Sequence, residues 1–234
     1  MSAATPVYRI GKTFRFEATR ELDDGRFDGN SFTAEAVLSS RVLSPVGFVA
    51  DFGDLRPLKQ YIDAVLDHHI LNDAVEDVTN EGIADHLTSW ARAQLPEHVA
   101  PVLEAIRIRT GRPQQPPLTA FVAFGASHQL HGLRAGHPCG RMHGHSYVLS
   151  VPVSAVPRLG DVPVLLRNHL RNAVHGRVLN DVIPSLNPTS ENLARHFSDW
   201  LSDRAIGDAG RSGPCVRVSE TETTWAEYDA GRAV

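Results

Sequence analysis

The chain contains two copies of one unit, and this repeat limits its fold more than any other feature. Phe16-Glu-Ala-Thr-Arg-Glu-Leu22 is matched in the second half of the chain by Phe124-Gly-Ala-Ser-His-Gln-Leu130, and Ile70-Leu-Asn-Asp73 is matched at the same offset by Val178-Leu-Asn-Asp181. The apolar positions of a predicted helix recur at nearly that offset. Three such agreements rarely arise by chance. We therefore interpret the chain as a tandem repeat.

Each copy has the order strand, strand, helix, helix, strand. Val7 to Ala18 and Ser31 to Leu43 have strand-like spacing and are separated by Asp-Gly turn residues, which predicts an antiparallel pair. Two amphipathic helices follow, because apolar residues then recur every three or four positions. In the first copy these residues are Leu55, Leu58, Ile62 and Val65, then Ile83, Leu87, Trp90 and Ala91. Glu104 to Arg109 is the predicted third strand, and the second copy adds a last strand at Thr223 to Tyr228.

This order of elements predicts an α+β fold for each copy, with two helices on one face of an antiparallel sheet. The run Gly111-Arg-Pro-Gln-Gln-Pro-Pro117 breaks regular structure between the copies. We predict a first domain over residues 1–112, a linker over 113–117 and a second domain over 118–234.

The stretch from Cys139 to Tyr147 places a thiol and two imidazoles close together. If the run after His143 is a strand, His143 and His145 project from the same face because they are two residues apart. A neighbouring apolar segment ends at His128 and supplies a third imidazole. Three histidines leave a fourth position open, which is typical of catalytic zinc. The alternative, exposed loop histidines, is weaker for a pair with this spacing.

The two copies have lost different polar residues. At the positions of the three histidines the first copy has residues that cannot form the same site, namely Arg20, Asp28 and Asn30, and it has no cysteine. Conversely, the Asp67-His68 pair has no counterpart in the second copy, and Glu220 aligns with Thr110. Each copy keeps what the other has lost, which predicts one composite site. The sequence leaves open whether that site forms within one chain or between chains.

The combined motifs resemble the 6-pyruvoyl-tetrahydropterin synthase and 6-carboxytetrahydropterin synthase family. They are a histidine after the first strand, Cys-x-x-x-His-Gly-His, Val-x-Asp-Phe, Asp-His-x-x-Leu-Asn, Pro-Thr-x-Glu-Asn and a late Glu-Thr, here divided between the copies. The resemblance implies two tandem T-fold domains in a homo-oligomer with sites at domain boundaries. The three residues between Cys139 and His143 resemble the 6-carboxytetrahydropterin branch, which serves 7-deazapurine (queuosine-type) biosynthesis.

The resemblance also implies a role for each residue at the site. The substrate would be 7,8-dihydroneopterin triphosphate, with zinc bound by the three histidines and the pterin ring anchored by Glu220. Cys139 would act as a thiolate base, and Asp67 and His68 would complete a proton relay. Other interpretations remain open, because a polar pair is typical of a solvated helix end and Glu220 also fits a rim position.

The function expected is therefore that of a zinc-dependent 6-carboxytetrahydropterin synthase-like lyase. The alternatives are a 6-pyruvoyl-tetrahydropterin synthase, or a pseudoenzyme that binds zinc and pterin without turnover. A net charge of −4 and the lack of a basic run argue against nucleic acid as a partner. Without a long apolar run or a secretory segment, a cytoplasmic protein with no membrane partner is expected, in which both cysteines are reduced.

We predict that the purified chain binds about one zinc ion, since only the second copy carries all three histidines. Elemental analysis of the desalted protein measures this stoichiometry. Two equivalents per chain would contradict it, and the His143→Ala variant should lose the metal while remaining folded.

Overall fold

The structure is a computed structural model that describes residues 6–111, 120–151, 162–205 and 214–231. The strands in these ranges are β1 (Val7–Glu21), β2 (Phe27–Ser40), β3 (Leu103–Thr110), β4 (Ala120–His128), β5 (His143–Val151), β6 (Val216–Thr221) and β7 (Thr224–Asp229). The helices are α1 (Arg56–Tyr61), α2 (Asn80–Gln94), α3 (Val162–His169), α4 (Leu179–Val182) and α5 (Ser190–Ala205). The predicted linker, residues 113–117, lies outside the described residues. The predicted strands and the two long helices agree with these bounds to within a few residues, and the α+β prediction is confirmed.

The fold repeats with the sequence. Helix α1 continues as a wider π-helical turn at Ile62–Leu66, and α3 continues in the same way at the equivalent segment of the second copy, Leu170–Val174. An isolated parallel bridge joins Thr19 to Ile70, and its counterpart joins Ser127 to Val178 at the same offset. Irregular details such as these are not imposed by an amphipathic pattern, so their recurrence supports the tandem repeat.

The chain divides into two compact units. Among the described residues, the larger unit comprises 6–10, 40–49, 120–151, 162–205 and 214–231, and the smaller unit comprises 11–39 and 50–111. Two short segments of the first copy thus belong to the unit that contains the second copy. The predicted domain boundaries remain a prediction.

The smaller unit is an antiparallel sheet in the order β3, β2, β1, with α1 and α2 beside it. Helix α2 begins where Thr79 Oγ1 accepts a hydrogen bond from the Gly82 N–H at 3.0 Å, which satisfies one of the unpaired donors of the first turn. One face of each helix is buried: Leu58 in α1, and Ile83, Leu87 and Ala91 in α2. Burying each large apolar side chain contributes about 1.5–3 kcal/mol.

The larger unit is an antiparallel sheet in the order β4, β5, β6, β7, with the start of β1 next to β7. Helix α5 buries Leu193, Phe197 and Leu201 completely, and these residues lie in one hydrophobic core with Leu149 of β5. Helix α5 packs against β6 and β7, and Ser190 in its first turn donates a hydrogen bond to Glu220 near the end of β6.

A strap of residues 44–49 comes from the first copy and packs within the larger unit. Thr189 Oγ1 donates a hydrogen bond to the Gly47 carbonyl at 2.9 Å, and the Val49 N–H donates to Glu191 Oε1 at 3.1 Å. Asn187 Nδ2 also donates to the Val46 carbonyl at 3.0 Å. The corresponding segment of the second copy, near residue 160, lies outside the described residues.

We predict that Gly47→Ala weakens the attachment of the strap. Gly47 has a φ of +100°, and an added Cβ would lie 2.5 Å from Asn192 Nδ2. We expect the free energy of unfolding to fall by about 1–2 kcal/mol because of the positive φ and by a further ~1–3 kcal/mol because of overpacking. Urea unfolding measures both. Gly136→Ala is the matched control, because Gly136 has a φ of +79° but nothing within 4 Å of the added atom. Equal losses in the two variants would mean that Asn192 moves aside without cost.

Candidate metal centre

Three histidines of β4 and β5 converge on one face of the sheet. His143 and His145 alternate along β5 and therefore face the same side, while His128 of β4 pairs directly with His143. The ring centroids lie 4.5 Å apart for His128 and His143, 4.9 Å for His143 and His145, and 5.3 Å for His128 and His145. The structure thus brings together the three imidazoles singled out in the sequence.

The backbone orients two of these rings. Nδ1 of His128 lies 2.8 Å from the Pro188 carbonyl, and Nδ1 of His143 lies 2.7 Å from the Arg141 carbonyl. Since a carbonyl only accepts, each Nδ1 carries its proton, and a ring without a second proton directs an Nε2 lone pair into the cluster. The two Nε2 atoms are 3.1 Å apart. Two lone pairs at that distance repel unless a cation lies between them.

Glu220 of β6 belongs to the same cluster. Its Oε1 lies 2.9 Å from Nε2 of His145 and 3.7 Å from Nε2 of His128, and its Oε2 accepts a hydrogen bond from Ser190 Oγ at 2.8 Å. The contact with His145 is short but is not aligned as a hydrogen bond. Burial alone would raise the pKa of Glu220, but His145, Ser190 and His128 hold it below its usual value. The carboxylate is therefore an ionised acceptor at neutral pH.

This donor set fits a zinc ion. One ligand atom from each of the three histidines and Glu220 can be chosen so that all four lie within 4.8 Å of one another. Imidazole nitrogens and carboxylate oxygens are usual zinc ligands. In such sites the imidazole nitrogen that does not bind the metal usually donates a hydrogen bond, often to a backbone carbonyl. The sequence predicted an open fourth position, and the carboxylate of Glu220 is within reach of it. Sequence reasoning had placed Glu220 at the pterin and not beside the histidines.

Cys139 lies in a short 3₁₀ turn, Pro138–Gly140, that precedes β5. Its backbone N–H donates to Nδ1 of His137 at 3.1 Å, and its carbonyl accepts from the Leu130 N–H at 2.9 Å. Neither cysteine is joined in a disulfide. Cys139 is not one of the four converging side chains, but it is close enough to Tyr147 of β5 for the thiolate charge to affect the phenol. In the sequence it precedes His143 by four residues.

The Asp67-His68 pair lies in the smaller unit, directly after the π-helical turn. Asp67 Oδ1 accepts a hydrogen bond from the Glu17 N–H at 2.8 Å, and Oδ2 lies 2.9 Å from Nδ1 of His68. The Glu17 N–H and then His68 lower the pKa of Asp67. The carboxylate is therefore held by the backbone and contacts the Nδ1 edge of the imidazole ring. The proton relay stays a prediction.

His68 has a φ of +60°, the only positive φ among the described residues other than glycine. The equivalent position in the second copy is Gly176, with a φ of +72°. Glycine takes this backbone conformation without strain, whereas histidine does so at a cost. The ring is 76% exposed and lines a cleft of about 550 Å³. An ordinary helix end does not require histidine at such a position, so this finding favours a functional role.

Glu191 connects the strap to helix α5. Thr189 Oγ1 accepts from the Asn192 N–H at 3.2 Å and caps the helix. Glu191, in the first turn, is buried and accepts from Val49 of the strap. Burial raises the pKa of Glu191 to about 7. No local pattern in the sequence indicates the contact between Glu191 and Val49, because the two residues are 142 positions apart.

Comparison with protein families identifies the chain. The model of the family described as 6-pyruvoyl tetrahydropterin synthase matches it twice, over residues 9–114 and 118–231. The chain belongs to the 6-pyruvoyl tetrahydropterin synthase family. Two successive matches within one chain confirm the tandem repeat, and with the antiparallel sheets and helices described above they confirm the T-fold class.

A solved structure that resembles the chain is the crystal structure of an uncharacterized protein from Wolinella succinogenes. The two sequences are 20% identical over 94% of this chain and 97% of that protein. The TM-score is 0.24, too low to compare the two backbones. Within the described ranges, no helix combines the length and the apolar character needed to cross a bilayer.

We predict that Glu191→Gln changes the pH dependence of stability. The unfolded chain ionises Glu191 near pH 4.5, whereas the folded protein does so near pH 7, so folding of the native chain becomes less favourable as the pH rises between these values. Relative to the native chain, the variant should gain up to about 3 kcal/mol between pH 4.5 and pH 8. Urea unfolding across this range measures the gain.

The matched control for this prediction is Glu81→Gln. Glu81 occupies the corresponding position of α2 but is exposed, so its stability difference from the native chain should not vary with pH. If the difference in the free energy of unfolding between Glu191→Gln and the native chain is also independent of pH, the buried carboxylate ionises as easily as it does in the unfolded chain.

Proposed function

We propose that the chain is a zinc-dependent lyase that converts 7,8-dihydroneopterin triphosphate and water to 6-carboxytetrahydropterin, triphosphate and acetaldehyde. Membership of the family supports a pterin-related lyase. The observation that carries the proposal is the metal cluster: three imidazoles, two of them with their distal protons bound to carbonyls, beside one ionised carboxylate. A product of this kind would serve 7-deazapurine biosynthesis, and the enzyme would act as a homo-oligomer.

The metal would be held by His128, His143 and His145. When bound, zinc supplies a Lewis acid that acidifies the bonds next to the hydroxyls of the pterin side chain. A site of three histidines keeps a position for a substrate oxygen, which suits this chemistry better than a closed one.

Glu220 would anchor the pterin ring. Its Oε2 is already oriented by Ser190, and its low pKa keeps the carboxylate ionised. Two carboxylate oxygens match the paired N–H donors on the 2-amino-4-oxo edge of a pterin, in the way that a carboxylate accepts from a bidentate donor. On this proposal Glu220→Gln keeps its zinc but binds pterin more weakly, whereas a carboxylate that ligates the metal would lose zinc affinity on the same change.

Proton transfer would involve Cys139 and the Asp67-His68 pair. Cys139 precedes His143 by four residues, and a cation bound by the histidines would favour its thiolate form and allow it to accept a proton near neutral pH. His68 would exchange protons through Nε2, while Asp67 holds Nδ1–H and fixes the tautomer. The fixed carboxylate and the strained backbone of His68 support this assignment.

We predict that Asp67→Asn lowers kcat by roughly 10²- to 10⁴-fold, as expected when a histidine loses the group that orients it. The zinc content should not change, because Asp67 is not one of the converging ligands. The control is Asp63→Asn, which removes the same charge from an exposed carboxylate bound to Lys59. A turnover near that of the native chain in Asp67→Asn would show that the pair has no chemical role.

The assay is mass analysis of the pterin product together with an enzymatic test for acetaldehyde. Release of acetaldehyde with a shortened side chain supports the proposed reaction. A product that retains the three-carbon side chain, without acetaldehyde, would instead identify a 6-pyruvoyl-tetrahydropterin synthase. Stoichiometric zinc and measurable pterin affinity without any turnover would identify a pseudoenzyme.

A further inference from the structure

Tyr147 has a buried hydroxyl group without a hydrogen-bond partner. The side chain is fully buried, and among the described residues its hydroxyl is one of three buried side-chain polar positions that lack a partner. Buried hydroxyls in proteins are almost always paired, because an unpaired one loses its bonds to water without replacement. The absence of a partner therefore needs an explanation.

Packing accounts for the ring of Tyr147 but not for its hydroxyl. The ring lies directly opposite Phe124 in the strand pair and stacks on it with centroids 5.2 Å apart. It also packs edge to face against the rings of His145 and His128, with ring centroids 5.5 and 6.1 Å apart. A phenylalanine would make the same contacts with no unpaired polar atom. Something other than the fold is needed to explain the oxygen.

The hydroxyl belongs to the face of the sheet that carries the metal cluster. His143, His145 and Tyr147 alternate along β5, so all three side chains face the same side. Val148 of β5 pairs with Ser219 of β6. Because the two strands are antiparallel, the adjacent residues Tyr147 and Glu220 are also cross-strand neighbours. The hydroxyl therefore lies beside the groups proposed to bind and convert the substrate, and a phenol carries its proton at neutral pH.

We propose that the Tyr147 hydroxyl is a ligand-binding group that donates a hydrogen bond to a side-chain oxygen of the pterin bound at the metal centre. The choice of a pterin rests on the proposed function, whereas the need for an acceptor rests on the buried hydroxyl alone. A hydroxyl donor beside a three-histidine cluster would favour pterins whose side chain carries oxygen. Sites built to bind a substrate hydroxyl discriminate strongly against analogues that lack it.

The test compares two pterins on two proteins. Zinc-loaded native chain and zinc-loaded Tyr147→Phe are titrated with 7,8-dihydroneopterin, which has side-chain hydroxyls, and with 6-methyl-7,8-dihydropterin, which has none. We expect the variant to bind dihydroneopterin roughly 10- to 100-fold more weakly, because a ligand oxygen loses its donor. Its affinity for the methyl compound should be unchanged. Equal changes for both compounds, or no change for either, would overturn the proposal.

Thermal unfolding without pterin supplies a second readout. Because Tyr147→Phe removes only an unpaired buried hydroxyl, its Tm should equal or exceed that of the native protein, with the zinc content unchanged. A lower Tm or a loss of zinc would instead assign the hydroxyl a structural role and overturn the proposal. Tyr228→Phe is the control, since it removes a phenol oxygen from another strand of the same unit and should leave both affinities unchanged.

The same titrations separate this inference from the proposed function. If neither pterin binds the native protein, the pterin assignment itself fails. If the native protein binds both pterins equally well, the proposed function is unaffected and the role of Tyr147 is wrong.

Discussion

The pairing register of β4 and β5 is the constraint on which the metal centre depends. One face of β5 carries His143, His145, Tyr147, Leu149 and Val151 in alternation, and it changes along its length from a polar cluster to a hydrophobic core. A slip of one residue would expose the apolar end and turn the imidazoles to the opposite face of the sheet. The burial of Leu149 and Val151 thus fixes the position of the histidines. The core stabilises the fold and also aligns the ligands.

The sequence predicted the parts of this arrangement that follow from local periodicity. Alternation placed His143 and His145 on one face, helical spacing predicted α2 and α5, and the constant offset between matching segments predicted a second copy of each element. It did not predict that Glu220 reaches the histidines, because that contact depends on how β6 is aligned with β5. Nor did it predict the contact between Val49 and Glu191, which are 142 residues apart in the chain. A local pattern carries no information about such partners.

The repeat also carries a signal about the backbone at His68. Aligning His68 with Gly176 sets a histidine against a glycine, and a glycine often marks a positive φ. The structure has positive φ angles at both positions. The first copy thus keeps a strained histidine where the second has the residue that this backbone prefers. A strained histidine in one copy and a glycine in the other support the proposed role of His68, by a comparison that a single-copy protein does not offer.

The strap makes the two copies unequal in a further respect. Residues 40–49 belong to the first copy in sequence but are part of the larger unit, where Val49 provides the N–H that the buried Glu191 binds. A gene divided at the proline-rich linker would therefore not yield two modules. The second half would begin without a segment of its own fold and would leave a carboxylate buried without its donor. The two copies are therefore repeats in sequence, whereas the larger unit is completed by backbone from the first copy.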